Sequence, residues 1–514
     1  MKIERTQNAF RNVVAGLILK LYQIVMPFVI RTMMIYFIGV QYVGLNSLFS
    51  SILSVLNLVE LGVGSAMVFS MYKPIAENDE DKICALMKLY KIYYHAIGFV
   101  IAVVGLVLLP FIPNLIESDV PPDINIYILY LLHLITTVLS YWLFAYKNSI
   151  LEAYQRTDII SKVQIITVTL QYLLQILSLC VFKNYYIYII GMLFKQIITN
   201  IITAIVSNKF YPNYHAKGNI SKRERSKINH HIRDLFAMKL GNIITDSVDT
   251  IVISAYIGLT ELAIYQNYYI ILKSIRGIVD VLLKSVVAGI GNSLITESLD
   301  KNYHDFKKMN FLIAWVICIC SSCFIGLYQP FMKLWVGEKL MLDEKFIPIF
   351  CAYYFVLGFQ KLWEMFKDAA GLWHEDRFRP LIGALFNLLL NLILVNYIGL
   401  YGILISTILS CMLITMPWLI HNIFKLLYRR SPLEFLKQLG IYSLLTVIST
   451  FGTYLVCHFI LIEGIVGLIL KLIISVFIPN LLLLICLHRW EEFKIFYYLI
   501  QKIMRKFLKI KQKN

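Results

Sequence analysis

The chain has 514 residues, of which 59% are hydrophobic and only 15% are charged, and its mean hydropathy is +0.70. This composition excludes an ordinary soluble enzyme and predicts a protein that crosses a membrane many times. The formal net charge of +17 does not indicate a nucleic-acid partner, because most basic residues lie in the breaks between apolar runs.

Apolar runs of helix length recur along the whole chain, and no alternating pattern of short segments indicates a barrel. We therefore predict an all-α polytopic membrane protein with about 14 transmembrane helices. The predicted spans are 13–37, 45–70, 89–113, 124–146, 163–182, 186–207, 238–257, 262–290, 310–328, 346–372, 381–396, 400–421, 439–461 and 465–487.

The positions of the basic residues predict the orientation of these spans. Lys and Arg concentrate in the two termini and in the loops on their side, whereas the opposite loops hold only Lys183, Lys333, Lys339 and Lys345. Both termini are therefore expected to be cytoplasmic. The segment Met1–Arg11 has no small-residue cleavage site, so we expect it to be retained and not removed as a signal peptide.

Three early spans carry charged residues that need an explanation. Lys20 and Arg31 share one face of the first span, although Arg31 lies near the outer end and snorkelling to the interface explains it equally well. Glu60 of the second span is either a protonated packing residue or an ion-coupling site. Lys195 is central in the sixth span, where a cation is expected to face a polar cavity.

The longest polar break, 208–237, predicts a basic cytoplasmic linker on an anionic membrane surface. It separates an N-terminal six-helix lobe, 1–207, from a C-terminal six-helix lobe, 238–425. Residues 426–487 form an appended helix pair and 488–514 a basic cytoplasmic tail. Weak matches at a fixed offset, such as 37–39 with 256–258, indicate a duplication that relates the lobes by a pseudo-twofold axis along the membrane normal.

The eighth span carries the densest set of charges. Lys273, Arg276, Asp280 and Lys284 follow one another at steps of three or four residues and so lie on one helix face. Each ion would cost about 2.5 to 3.5 kcal/mol if it faced lipid. One interpretation is a structural ion ladder in which Asp280 pairs with Arg276 and Lys284. The other is a cavity whose positive excess suits an anionic cargo, with Lys284 free to snorkel.

The remaining chemistry-bearing residues give weaker signals. Asp249 of the seventh span is deep enough for a proton or sodium site, but a pairing with Lys273 or Arg276 is equally consistent. The nine cysteines are scattered mostly in apolar runs, so we predict no metal site and no cofactor. No Gly-Lys dipeptide occurs, so a Walker A loop is absent and ATP drive is unsupported. We predict no catalytic residues and no enzyme activity.

Several short segments resemble one known family over the whole chain. They are Tyr42–Phe49, Glu60–Gly64, Asp249 with Gly258, Tyr265–Tyr268, Ala288–Asn292, and the pair Asn387 and Asn391. They are similar to the Wzx-type polysaccharide flippases of the MOP (MATE-like) transporter superfamily. The resemblance implies export of undecaprenyl-diphosphate-linked oligosaccharide repeat units across the bacterial cytoplasmic (inner) membrane, by alternating access of two lobes, for capsule, O-antigen or exopolysaccharide synthesis.

The resemblance also implies a central cationic cavity. Its matching residues are Arg31, Lys195, Lys273 and Arg276, to which we add Lys20 and Lys284 as further candidates. The candidates for coupling to H⁺ or Na⁺ are Asp249, Asp280 and Glu60. The last two helices are expected to accommodate the polyprenyl tail.

The expected partners are the lipid-linked substrate, membrane lipids, and a polysaccharide polymerase and chain-length proteins, with the chain itself a monomer. Three other functions stay open at this point. They are a flippase for the peptidoglycan precursor lipid II, a MATE-like drug or metabolite exporter, and a membrane polysaccharide polymerase or ligase. A net-positive cavity suits cationic drugs poorly, and the short outer loops leave little room for the catalytic loop of a polymerase.

Overall fold

The computed structural model describes residues 5–117 and 120–495. Within these ranges it leaves out the side chains of residues 5–10, 13, 14, 17, 234, 237–240, 242, 245, 246, 282, 284–288 and 295. The predicted basic tail at 488–514 therefore lies mostly outside the described residues. So does the side chain of Lys284.

The described part of the chain is helical and contains no strand, which confirms the all-α prediction. The helices are α1 (Arg5–Phe37), α2 (Val40–Leu56), α3 (Val63–Glu77), α4 (Glu80–Leu108), α5 (Ile126–Trp142), α6 (Asn148–Ala153), α7 (Thr157–Leu177), α8 (Tyr185–Phe210), α9 (Lys222–Tyr256), α10 (Leu259–Thr296), α11 (Leu299–Val336), α12 (Phe346–Ala369), α13 (Trp373–Asp376), α14 (Arg379–Ile398), α15 (Leu400–Ser410), α16 (Met416–His421), α17 (Leu433–His458) and α18 (Gly464–Leu487).

Eleven helical segments among the described residues are long and apolar enough to cross a membrane, or twelve if one bent pair counts as a single span. That pair, Ile126–Trp142 with Ala145–Ala153, bends by 47°. Helices α9 and α10 cover the two further predicted spans, 238–257 and 262–290, and several of their side chains are not described. The count of 14 stays a prediction.

The chain divides into two compact units, Met1–Gln266 and Asn267–Asn514, with the boundary inside α10. In the first unit α7 packs against α1 and α8, α4 against α5, and α9 against α2. In the second unit α11 packs against α12, α17 and α18, while α14 packs against α15. The predicted C-terminal helix pair is thus held on α11.

The second predicted span is broken where glycine is required. Helix α2 ends at Leu56, a 3₁₀ turn follows over Asn57–Glu60, and Gly62 has a φ of +88° before α3 begins. A Cβ on Gly62 would also lie 2.6 Å from the Cβ of Leu235 in α9. Only glycine adopts this conformation without strain and lets the other helix approach so closely. Gly62 therefore determines where the helix breaks, and Glu60 lies in that break.

Buried amides join helices in the second unit. Asn387 of α14 donates from Nδ2 to Oγ1 of Thr407 in α15 over 3.0 Å, and Asn391 donates to Oδ1 of Asn387 over 3.4 Å. Both asparagines are fully buried. A side-chain hydrogen bond between helices satisfies polar atoms that lipid cannot. Asn387 therefore links α14 to α15.

Candidate functional site

Helix α10 brings two of the predicted site residues to the wall of a crevice in the second unit. Arg276 and Asp280 are half-buried and line it, whereas Lys273 on the same helix is exposed. Helix α12 supplies Tyr354 and Lys361. The rest of the wall is apolar, made by Val279, Leu283, Ile313, Val316, Ile317, Leu357 and Gly358.

The crevice carries two cations, Arg276 and Lys361, and one carboxylate, Asp280. Apolar walls lower the local dielectric, so charges there act more strongly on a bound group than they would in water. The crevice has a volume of about 10 Å³, room for about one water molecule, so a larger anion would need a conformation in which its walls lie further apart. Arginine can hold a phosphate or carboxylate through two hydrogen bonds, and lysine adds a compact charge.

Lys361 also belongs to a buried network of ions at the end of α12. Its Nζ lies 3.9 Å from Oε2 of Glu364, and Oε1 of Glu364 accepts a 3.1 Å hydrogen bond from Nη2 of Arg379. Arg379 binds both oxygens of Asp376, over 2.7 Å and 2.9 Å. Lys367 then lies 3.0 Å from Asp376. The network therefore runs from the crevice to the α12–α14 connection.

This network has equal numbers of cations and carboxylates once Asp368, 2.5 Å from Lys367, is included. Arg379, Asp376 and Lys367 are almost fully buried, and buried ions are tolerated only when each has a partner. Lys361 is the member that reaches the crevice.

Sequence reasoning placed Arg276 and Asp280 but missed the contribution of α12. Lys361 and Glu364 are one helical turn apart, a spacing that is also typical of an ordinary surface pair. Tyr354 carries no signal of its own among the 33 tyrosines of the chain. The packing of α10, α11 and α12 selects these two side chains, and one sequence does not reveal that packing.

The other predicted cations lie in the first unit. Arg31 of α1 is half-buried, and its Nη2 donates a 3.3 Å hydrogen bond to the carbonyl oxygen of Ala263 at the start of α10. Lys195 of α8 is half-buried, and Lys20 is exposed. These three cations belong to the first unit, and Lys273 and Arg276 belong to the second, so the shared cavity stays a prediction.

The three candidate coupling carboxylates have different surroundings. Glu60 Oε1 accepts a 3.2 Å hydrogen bond from the hydroxyl of Tyr94, which in turn accepts one of 2.5 Å from Tyr90. Asp249 of α9 is buried at 6% exposure, and Asp280 lines the crevice. Among the described residues no group of three or more His, Cys, Asp or Glu is arranged to hold a metal ion.

Two tyrosines of the segment Tyr265–Tyr268, which carries part of the family resemblance, have structural contacts. Tyr265 and Tyr268 are buried at 1% and 0% exposure. The hydroxyl of Tyr268 donates to Oε1 of Gln329 over 2.9 Å, and its carbonyl oxygen accepts from Tyr328. These rings pack in the core and are not available to a sugar.

The chain has the same fold as solved structures of a flippase and of multidrug transporters. The chain aligns with "Lipid II flippase MurJ, inward closed conformation" at a TM-score of 0.69 and 17% identity, over 93% of this chain and 98% of that one. It aligns with an inward-facing multidrug resistance MATE family transporter of the MOP superfamily at 0.58 and 14% identity, over 78% and 96%. It aligns with the outward-facing conformation of such a transporter at a TM-score of 0.52 and 15% identity, over 80% of this chain and 94% of that one.

At such identities the likeness establishes the fold alone. No curated protein matches the chain in sequence. A family model described as "Polysaccharide biosynthesis protein" matches residues 9–288, which is more than half of the chain. The chain therefore belongs to the polysaccharide biosynthesis protein family and has the fold of the MOP superfamily.

Proposed function

We propose that this protein flips undecaprenyl-diphosphate-linked oligosaccharide repeat units across the bacterial cytoplasmic membrane for capsule, O-antigen or exopolysaccharide synthesis. The observation that carries the proposal is the crevice between α10, α11 and α12, which Arg276 and Lys361 both line. Membership of a polysaccharide biosynthesis family supports a saccharide-bearing cargo. The MurJ-like fold supports a cargo that is carried on a lipid.

The diphosphate is the part of the substrate that these two cations suit, in a conformation in which the crevice is wider. Arg276 would hold it through paired hydrogen bonds, and Lys361 would add a second positive charge. Arg31, Lys195, Lys273, Lys20 and Lys284 are proposed to extend this cationic surface. No covalent step is needed, because transport requires only that the cargo binds two conformations in turn.

We further propose that the cycle is coupled to H⁺ or Na⁺ through Asp280, Asp249 or Glu60. A cation bound beside one of these carboxylates would offset its negative charge and strengthen the hold of the nearby basic residues on a diphosphate; release of the cation would weaken it. An ion gradient could bias the two conformations in this way. A polysaccharide polymerase and chain-length proteins are the proposed partners, with both termini cytoplasmic.

The main alternative is a lipid II flippase, which is suggested by the TM-score of 0.69 to MurJ. Complementation separates the two functions. We expect the gene to restore surface polysaccharide in a strain without its repeat-unit flippase, and not to rescue a strain depleted of lipid II flippase. Rescue of the second strain alone would overturn the assignment. Export of cationic dyes by the purified protein would point instead to a drug exporter.

A further inference from the structure

A second cavity of the second unit lies away from the crevice, at the end of α17 and the beginning of α18. It has a volume of about 380 Å³. Helix α11 contributes Gly326, Gln329, Pro330 and Lys333, and α18 contributes Lys471. The segment that joins α17 to α18, from Ile460 to Glu463, closes one side of it.

Lys471 is the cation of this cavity that has no salt-bridge partner among the described residues. It lies about 10 Å along α18 from Gly464, at 1.5 Å per residue, and is half-buried. A cation at this depth in a membrane helix is costly unless an anion or water accompanies it.

The second lysine of the cavity is already neutralised. Lys333 lies 2.9 Å from Oε1 of Glu338 and 3.0 Å from Oε1 of Glu463. Glu463 is therefore engaged at the mouth and does not compensate Lys471. The other carboxylate that lines the cavity, Glu344, is exposed and makes no salt bridge with Lys471 among the described residues. The positive charge that can bind an anion is therefore that of Lys471.

The surroundings of the cavity favour an anion that carries hydrocarbon chains. Four of the residues that line the cavity are exposed apolar side chains, namely Leu334, Tyr454, Leu461 and Ile462. Leu461, in the connecting segment, is 88% exposed. These surfaces suit acyl chains and the membrane interface, whereas a soluble phosphate would use none of them.

We propose that this cavity binds the phosphate group of a membrane phospholipid, with Lys471 as its counter-ion and the acyl chains along the exposed apolar side chains of the wall. The lipid would fill the space between α11, α17 and α18. None of the crevice residues lines this cavity, so the proposal does not rest on the crevice. It gives the last two helices a phospholipid in place of the polyprenyl tail that the family resemblance implies there.

The test compares phosphatidylglycerol with a diacylglycerol that has the same chains but no phosphate. With the purified full-length protein in detergent, native mass spectrometry should show phosphatidylglycerol bound and diacylglycerol absent. Lys471→Gln should weaken phosphatidylglycerol binding by about 10-fold or more, the effect of losing a hydrogen bond to a charged group. Lys471→Arg should retain it, as should Lys339→Ala, which removes an exposed lysine outside the cavity.

A thermal-shift measurement keeps the test independent of any folding defect. Phosphatidylglycerol should raise the Tm of the wild type and leave that of Lys471→Gln unchanged, because a ligand stabilises only the state that binds it. Equal binding of the two lipids, or equal binding by the wild type and Lys471→Gln, would overturn the proposal. So would displacement of the lipid by millimolar inorganic phosphate, which would assign the cavity to a free anion.

Discussion

Arg379 shows how one buried side chain can hold several others in place. Its guanidinium donates two hydrogen bonds to Asp376 and one to Glu364. Glu364 in turn lies beside Lys361 of the crevice. An arginine at this position therefore links the connection before α14 to a residue that we place against the substrate.

Replacing Arg379 with Met should destabilise the protein strongly. The change leaves Asp376 and Glu364 buried with fewer partners, and breaking a buried ion pair from one side costs about 3 to 5 kcal/mol. We expect a clear fall in the Tm of the purified protein. Arg377→Met is the matched control, because Arg377 is exposed and should leave the Tm nearly unchanged; equal losses in the two variants would contradict the account.

The charged face of α10 could be recognised in the sequence, because four ionisable residues at helical spacing in an apolar run are rare. Arg276 and Asp280 could be predicted in this way. Lys361, Tyr354 and Arg379 could not, since their importance depends on which helices pack together. Lys273 has the same spacing as its neighbours but is exposed within the second unit.

At the scale of elements, glycines determine how closely helices approach. Gly44 of α2 faces the backbone of Leu259, the first residue of α10, so closely that a Cβ would overlap the carbonyl oxygen. A backbone carbonyl has little freedom to move away. This contact explains why a segment matched by the family resemblance contains a glycine at this point.

Gly44→Ala should lower the Tm and the yield of folded protein. Steric overpacking of this kind typically costs about 1 to 3 kcal/mol. Gly440→Ala in α17 provides the comparison, because a Cβ there meets nothing within 4 Å and alanine gains up to about 1 kcal/mol of helix propensity. A Gly44→Ala protein as stable as the wild type would show that α2 and α10 do not approach in this way.

The beginning of α9 is tied to α4 by an ion pair that should respond to pH. Nζ of Lys82 lies 2.5 Å from Oε1 of Glu224, and this contact lowers the pKa of Glu224 below its ordinary value of 4.5. A lowered pKa in the folded state means that the contribution is complete above pH 4.5 and is lost as the pH falls through the folded pKa. For an exposed pair it amounts to less than about 1 kcal/mol.

Hydrogen exchange at residues 222–230, corrected for the intrinsic rate, measures this effect. Protection should fall in the wild type when the pH drops well below 4.5, whereas Glu224→Gln should show lower protection at neutral pH and no further loss. Arg223→Gln, which changes an exposed neighbour, should behave like the wild type. A Glu224→Gln protein that keeps the wild-type pH response would assign the effect to another group.

For the whole molecule, hydropathy alone predicted nearly every span, because a bilayer admits only helices of sufficient length in a chain like this one. The boundaries were less accurate where helices extend past the apolar run, as at α11, predicted at 310–328 and observed at Leu299–Val336. The break at Glu60–Gly62 and the 47° bend after Trp142 were not predicted. Both depend on contacts with other helices, which hydropathy does not report.

The proposed function depends on two cations of one crevice acting on one diphosphate. In proteoliposomes that contain the purified protein, undecaprenyl-diphosphate oligosaccharide placed in one leaflet should appear in the other. Arg276→Ala and Lys361→Gln should each slow the transfer by at least about 10-fold, since hydrogen bonds to charged groups contribute about 1.5 to 3 kcal/mol. Arg377→Ala and Lys345→Ala, which remove exposed charges of the same unit, should transfer the lipid at the wild-type rate. Equal rates for all five proteins would contradict the assignment of the crevice.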